Sequence, residues 1–209
     1  NQREAINNYK ALKEVLPANN VLAGLTRIIS KIESPGVINH LAVPPTIVFG
    51  ECNSEKTDRV QKLEKIFNEA GFKGRVSEDI QADLWRKFIS ICVSALLAVT
   101  RATYGEVLQQ QETRGMLHDL LEEITLLART LDINIEEDFV DKTMAFMDTF
   151  PHDSTSSLTR DVWAGKPSEL EYQNGTVVRL AEQANVNVTV NPFIYYSLLI
   201  MEKKARGLL

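Results

Sequence analysis

The 209-residue chain has few residues of the kinds that build metal centres and disulfide frameworks. It has two cysteines, Cys52 and Cys92, and three histidines, His40, His118 and His152, none of them in a paired or HExxH spacing. Zinc sites draw their ligands from clustered Cys and His residues, so we expect no metal. Two unpaired thiols are typical of a reducing compartment, and the cytoplasm is therefore the expected location.

A surplus of positive charge and a long apolar run are also missing. The chain has 23 Lys and Arg against 28 Asp and Glu, which gives a formal net charge of −5. Nucleic-acid binding depends on clustered basic side chains, and a membrane-spanning helix needs about 20 consecutive apolar residues. The composition therefore predicts neither a nucleic-acid nor a membrane partner. An apolar content of 44% is ordinary for a globular protein with a buried core.

A glycine-rich dinucleotide fingerprint is absent too. In that motif GxGxxG follows a strand and opens a helix, and none of the ten glycines stands in this spacing. Strand-like runs nevertheless alternate with helix-like segments, with strands at 21–29, 46–49 and 73–77 and helices at 8–16 and 55–70. Ser34-Pro35-Gly36 predicts a turn, Ser54 is expected to cap helix 55–70, and Gly71 is expected to end it. We interpret residues 1–78 as the second half of a dinucleotide-binding domain.

From residue 79 onward the apolar residues recur at helical spacing. The predicted helices lie at 80–99, 117–131, 139–147, 158–163, 170–183 and 193–204. The last one is apolar on nearly all sides, which favours deep burial or a subunit interface. The predicted fold class is α/β followed by all-α, with a partial Rossmann-like nucleotide-binding domain and a helical C-terminal domain over 79–209.

Two polar segments between these helices contain residues suited to binding a small acid. They are Ser156-Ser157-Leu158-Thr159-Arg160-Asp161 and Gly165-Lys166-Pro167-Ser168-Glu169. Serine at the start of a helix is an ordinary cap, which explains Ser157 without any function. Ser168 and Glu171 fit a capping box, which would put Glu169 in the first helical turn, where the dipole favours a carboxylate. Both segments therefore have a sufficient structural explanation.

A third segment places Lys87 on a helix two residues after the aromatic Trp85. Its neighbours Phe88, Ile89 and Ile91 are apolar, so the ammonium group is expected to be partly buried. Burial lowers a lysine pKa and makes the group a better proton donor near neutral pH. The alternative is a lysine that extends from the helix edge into water, and the pattern alone favours that alternative.

Taken together, these segments resemble the C-terminal half of the ketopantoate reductase (2-dehydropantoate 2-reductase) family. The resemblance covers most of the chain and is weakest over the first twenty residues. It implies that Lys87 protonates the substrate ketone as hydride arrives from NADPH. It also implies that Glu169 orients the substrate and lies close to the cofactor, and that Ser157 binds the substrate carboxylate. By this resemblance the catalytic residues are Lys87 and Glu169.

The sequence departs from the family pattern in two places. The family usually has asparagines one and two helical turns after the lysine, where this chain has Ile91 and Ala95. The family also often has Asn-Gly where this chain has Tyr104-Gly105. Both changes predict a less polar pocket, which weakens 2-dehydropantoate as the specific substrate and leaves other 2-oxo acids open.

The leading hypothesis is an NADPH-dependent reductase of 2-dehydropantoate to pantoate, a reaction of pantothenate biosynthesis, with a small 2-oxo acid as its binding partner. Without the phosphate-binding turn, the chain alone is not expected to transfer hydride. The alternatives are a paralogous reductase of another 2-oxo acid, another β-hydroxyacid dehydrogenase-like reductase, and a non-catalytic helical interaction module. The apolar last helix also suggests a homodimer through the helical domain.

Overall fold

The computed structural model describes Leu12 and residues 14–209, and the chain divides into two compact units, Asn1–Leu84 and Trp85–Leu209. The first unit is mixed α/β and the second is helical, so the predicted fold class is confirmed. The predicted division between residues 78 and 79 stays a prediction. The helix predicted at 8–16 lies largely outside the described residues.

The sheet of the first unit has the order β1-β2-β3 in the described residues. Strands β1 (Leu22–Ser34) and β2 (Val37–Glu51) form a long antiparallel hairpin, and β3 (Lys73–Val76) pairs with β2 in parallel. The predicted turn at Ser34-Pro35-Gly36 is confirmed, with Gly36 in the left-handed region at φ 83°. The hairpin is longer than the predicted strands because its ladder continues to this turn.

Helix α1 spans Asp58–Glu69, and its N-cap residue is Thr57. The prediction that Ser54 caps this helix is wrong, because the Ser54 hydroxyl accepts a hydrogen bond from the Ile80 N–H at 3.2 Å instead. Ser54 thus stabilises the start of the next helix, α2 (Ile80–Cys92). Gly71 does end α1, as predicted, at φ 84°.

Helix α2 contains the junction of the two units. The helices that follow α2 all lie in the second unit: α3 (Ser94–Thr100), α4 (Tyr104–Gln109), α5 (Gln111–Thr130), α6 (Phe139–Met147), α7 (Ser157–Trp163), α8 (Asn174–Ala184) and α9 (Val190–Ala205). The single helix predicted at 80–99 is interrupted at Val93. There Leu96 N bonds to the carbonyl of Val93 at 3.0 Å, and the Ser94 hydroxyl donates to the carbonyl of Ile91.

Helix α5 forms the centre of the second unit and contacts α4, α6, α8 and α9. Its fully buried side chains recur at helical spacing as predicted: Leu117, Leu120, Leu121, Ile124 and Leu127. The short helix α4 was not predicted, although Thr103 and Glu106 form a capping box at its start.

Helix α9 has two different faces. Ile194 and Leu198 are buried, whereas Phe193, Tyr196 and Ile200 are 53–62% exposed. Of the two interpretations, deep burial is therefore excluded, and the subunit interface stays a prediction. Within the described part of the chain, no helix combines the length and apolarity needed to cross a membrane.

Candidate functional site

Lys87 lies in the third turn of α2, on a stretch that is packed on both sides. Trp85 and Phe88 are buried and meet edge to face, with ring centroids 5.5 Å apart, and Ile89 is fully buried. Lys87 itself is half-buried. The apolar neighbours of Lys87 in sequence are therefore buried, and the proposed partial burial of its ammonium group stays a prediction.

Ser157 is the first residue of α7 and is exposed. Its neighbour Ser156 is the N-cap, because the Ser156 hydroxyl accepts the N–H of Thr159 at 3.0 Å. The capping role that could have explained a serine here thus belongs to Ser156. Helix α7 packs on α3, and the Thr159 hydroxyl donates to the carbonyl of Ser94 at 3.0 Å.

The loop before Ser157 is bonded to the start of α4. Tyr104 N donates to the carbonyl of Ser154, and Gly105 N donates to the carbonyl of His152, both at 3.0 Å. Gly105 allows this approach, since a Cβ at that position would lie 2.7 Å from His152 Cα and closer still to the imidazole ring. The departure from the family pattern at Tyr104-Gly105 therefore falls where this loop is held.

Glu169 lies in a turn and not in the first turn of a helix. Helix α8 begins five residues later, at Asn174, and the N–H groups of Tyr172 and Gln173 donate to the carbonyl of Glu169 at 3.0 and 2.9 Å. The Gln173 side-chain amide donates to Glu169 Oε2 at 3.2 Å. Glu169 is half-buried, with its main chain fixed by this turn.

The capping box predicted for Ser168 and Glu171 is wrong. Ser168 Oγ accepts the N–H of Leu170 at 3.2 Å and closes a tight local turn instead. The Glu171 carboxylate accepts hydrogen bonds from Tyr195 and Arg179. Burial, together with this carboxylate, raises the pKa of Tyr195 to about 12. The dipole argument for Glu169 therefore does not apply.

A buried carboxylate that the sequence did not reveal, Glu202 on α9, lies beneath this turn. It is 5% exposed and accepts the N–H of Ser168 at 3.0 and 3.1 Å and the Ser168 hydroxyl at 2.6 Å. Arg206, one helical turn later, donates to Glu202 at 2.7 Å and to the carbonyl of Ser168 at 2.7 Å. The only sequence signal for it was a Glu–Arg pair at i,i+4 spacing on an apolar helix.

Helix α3 contacts two of the helices that carry or hold these residues. It packs against α7, which carries Ser157, and against α9, which holds the turn of Glu169 through Glu202. Lys87 lies on α2, which ends two residues before α3 begins. Among the described residues, no group of His, Cys, Asp and Glu has an arrangement that could hold a metal ion.

Residues 79–202, more than half of the chain, match the model of the family described as ketopantoate reductase PanE/ApbA C terminal. A 2-dehydropantoate 2-reductase of Nostoc sp. is 26% identical over 93% of the chain and 62% of its own length. The chain spans 58–66% of the length of the first curated relatives that it matches.

Solved structures share the fold. A PanE/ApbA family ketopantoate reductase from Ralstonia eutropha superimposes with a TM-score of 0.85 at 24% identity, covering 97% of this chain and 66% of its own. A D-mandelate dehydrogenase, solved with NADH and anilino(oxo)acetate, gives a TM-score of 0.84 at 16% identity, covering 97% of this chain and 67% of its own. Because this family model matches more than half of the chain, the chain belongs to the ketopantoate reductase family. The matched residues correspond to the C-terminal part of that family's proteins.

Proposed function

We propose that this chain is the substrate-handling part of an NADPH-dependent reductase of 2-oxo acids, with 2-dehydropantoate as the first substrate to test. The observation that carries the proposal is the membership of residues 79–202 in the ketopantoate reductase family. The half-buried Lys87 beside the buried Trp85 supports it, since a lysine in such surroundings is suited to proton donation.

A bound nicotinamide cofactor would supply hydride chemistry at the carbonyl carbon of the 2-oxo acid. The Lys87 ammonium group donates its proton to the carbonyl oxygen, which yields a 2-hydroxy acid, and the lysine then takes a proton from water. The Ser157 hydroxyl donates a hydrogen bond to the substrate carboxylate. Holding the proton donor and the carbonyl in one geometry is the main source of rate in such a site.

Glu169 is the described residue that we assign to both substrate and cofactor. A carboxylate accepts hydrogen bonds, so it fits the hydroxyl groups of a substrate and the amide or ribose donors of a nicotinamide nucleotide. Its main-chain carbonyl is bound by Tyr172 and Gln173, which fixes the main chain from which the carboxylate extends. This fit applies equally to NADPH and NADH.

The test is NADPH oxidation by the complete gene product with 2-dehydropantoate, comparing Lys87→Ala with Lys142→Ala. Lys142 is an exposed lysine on α6 that pairs with Asp138. We expect Lys87→Ala to lower kcat by about 100- to 10,000-fold with little loss of stability, and Lys142→Ala to leave it unchanged. Equal rates in wild type and Lys87→Ala would reject the assignment of Lys87.

A second candidate is a reductase of a less polar 2-oxo acid. Ile91 is half-buried and Ala95 is fully buried at the positions where the family usually has asparagine. The D-mandelate dehydrogenase of the same fold motivates an assay with aromatic and aliphatic 2-oxo acids, each with NADH and NADPH. Turnover of these acids, with none of 2-dehydropantoate, would favour this candidate.

We also propose a second copy of the chain as a partner, and the cytoplasm as the location, given the two free cysteines. The exposed stripe of α9 (Phe193, Tyr196 and Ile200) lies on one helix face. Sedimentation velocity of Ile200→Glu should show a smaller particle than wild type, whereas Leu126→Glu, an exposed position on α5, should not. An interaction module without catalysis would dimerise in this way and bind no NADPH.

A further inference from the structure

We infer that Glu202 is a positioning residue for Glu169, and that the Glu202–Arg206 pair sets the geometry with which Glu169 meets the substrate. The inference rests on the proposed function. Glu202 does not touch the substrate in this scheme. It acts through Ser168, the residue directly before Glu169.

The Glu202–Arg206 pair binds every polar group of Ser168. The Glu202 carboxylate accepts the Ser168 N–H and hydroxyl, and Arg206 donates to the Ser168 carbonyl at 2.7 Å. The side chain of Glu202 is 4% exposed and that of Arg206 is 31% exposed. One residue of the turn is thus held at three atoms by Glu202 of α9 and by Arg206, which directly follows that helix.

This arrangement fixes the main chain on both sides of Glu169. On one side Ser168 is bound by α9, and on the other the Leu170 N–H donates to the Ser168 hydroxyl at 3.2 Å. The hydroxyl therefore receives one hydrogen bond and donates another, and both depend on its orientation. The Glu169 side chain, with its Oε2 bonded to Gln173, can then point in few directions.

A buried carboxylate is an expensive way to close the end of a helix, since apolar residues of similar volume often serve stability equally well. What the carboxylate adds is direction, because its two oxygens accept three hydrogen bonds from one residue with defined angles. Directional fixing of a turn that carries a proposed substrate ligand points to a positioning role for Glu202.

The test compares Glu202→Gln with Glu123→Gln in the complete protein. Glu123 is a matched control because its carboxylate also accepts several hydrogen bonds from α9, at Thr189, Val190 and Asn191, but at the opposite end of that helix. We expect Glu202→Gln to lower kcat/KM by about 10- to 100-fold, the effect of a displacement near 1 Å. Glu123→Gln should lower stability and change kcat/KM less than about threefold.

A double variant separates positioning from general destabilisation. If Glu202 acts through Glu169, then Glu202→Gln should add little further loss of kcat/KM on a Glu169→Gln background. Additive losses, or an equal loss in Glu123→Gln, would overturn the inference. If Glu202→Gln does not fold, Ser168→Ala provides the test instead. It removes only the hydrogen bonds of the hydroxyl group, and it should cause a smaller loss of kcat/KM.

Hydrogen exchange gives a readout that does not need turnover. The Ser168 and Leu170 amides should exchange faster in Glu202→Gln than in wild type. Their exchange rates should be unchanged in Glu123→Gln. Unaltered exchange in Glu202→Gln would overturn the inference even in an active enzyme. A wild-type protein without turnover on any 2-oxo acid would instead reject the proposed function, and the inference with it, whatever the exchange result.

Discussion

Replacing Gly105 with alanine should displace the loop that leads to Ser157. A Cβ on residue 105 would lie 2.7 Å from His152 Cα, whereas carbon atoms in ordinary contact are about 3.5–4.0 Å apart. Rotation of the imidazole ring cannot relieve this contact, because Cα belongs to the main chain. The two segments must therefore separate by about 1 Å, which stretches the 3.0 Å bond from Gly105 N to His152 O beyond hydrogen-bonding distance.

The magnitude follows from these contacts. Overpacking costs about 1–3 kcal/mol, and the stretched main-chain hydrogen bond to His152 contributes about 1 kcal/mol. We therefore expect Gly105→Ala to lower the free energy of unfolding by about 2–4 kcal/mol. Gly115→Ala is the matched control, because Gly115 lies in the second turn of α5 with nothing within 4 Å of its Cβ position. That variant should gain about 0.5–1 kcal/mol.

Urea titrations followed by far-UV circular dichroism measure both free energies, and the two variants should change them in opposite directions. Gly105→Ala should also raise KM for the 2-oxo acid, since the displaced loop carries Ser157. A Gly105→Ala variant as stable as Gly115→Ala would refute the reasoning. It would mean that the loop at His152 moves freely away from α4.

Three further predictions concern single side chains of the helical unit. Burial raises the pKa of Glu123, but hydrogen bonds from Asn191, Val190 and Thr189 outweigh it and hold the pKa below its usual range. The ionised carboxylate therefore stabilises the fold above its unfolded pKa of about 4.3, and this stabilisation is lost as the pH falls through the folded pKa. Glu123→Gln should accordingly lower the free energy of unfolding more at pH 7 than at pH 3. Equal losses in urea titrations at both pH values would contradict this prediction. Ser156→Ala should lower the free energy of unfolding by about 1 kcal/mol in urea titrations, because it removes the α7 cap. Ser157→Ala should lower it by under about 0.5 kcal/mol and raise KM in steady-state kinetics. The reverse pattern would exchange the roles of the two serines. Leu120→Ala in the core of α5 should cost about 2–5 kcal/mol, and Leu126→Ala on the exposed face of the same helix under about 0.5 kcal/mol; similar thermal midpoints would show that α5 is not central to the core.

Much of the fold could be predicted because the relevant interactions repeat along the chain. Leu117, Leu120 and Ile124 mark α5 through a spacing that only a helix brings to one face. The break at Val93 could not be predicted, because serine is compatible with the interior of a helix. Only the structure shows that the Ser94 hydroxyl donates to the Ile91 carbonyl. The six-residue helix α4 is too short for its periodicity to stand out from a loop.

In both wrong cap assignments a distant residue takes part in binding the serine hydroxyl. Ser54 and Ser168 both match local capping patterns, but their hydroxyl groups bond to residues that are 26 and 34 positions away in sequence, Ile80 and Glu202. A cap pattern specifies which atoms can bond, and the tertiary fold decides which partner comes within reach. Glu202 remained unpredicted for the same reason.

The candidate site shows the same limit. Physical reasoning on Lys87, Ser157 and Glu169 left an ordinary structural role open for each, and their proposed roles came from the family resemblance. The structure excludes two of those ordinary roles. Ser156, not Ser157, caps α7, and Glu169 does not lie in the first turn of a helix, so the helix dipole does not explain it.

The carboxylates at the two ends of α9 restrict how the length of this helix can change. At the start of α9, Glu123 accepts hydrogen bonds from the first residues of the helix. In the last turn, Glu202 accepts hydrogen bonds from Ser168. The 16-residue helix therefore spans a fixed distance of about 24 Å between two bonded neighbours. Inserting one residue between Asn191 and Glu202 would turn the Glu202 side chain by about 100° and shift it by about 1.5 Å, away from Ser168. Insertions and deletions should therefore be excluded from this helix while loops such as 131–138 accept them, a pattern that a library of single-residue insertions can reveal.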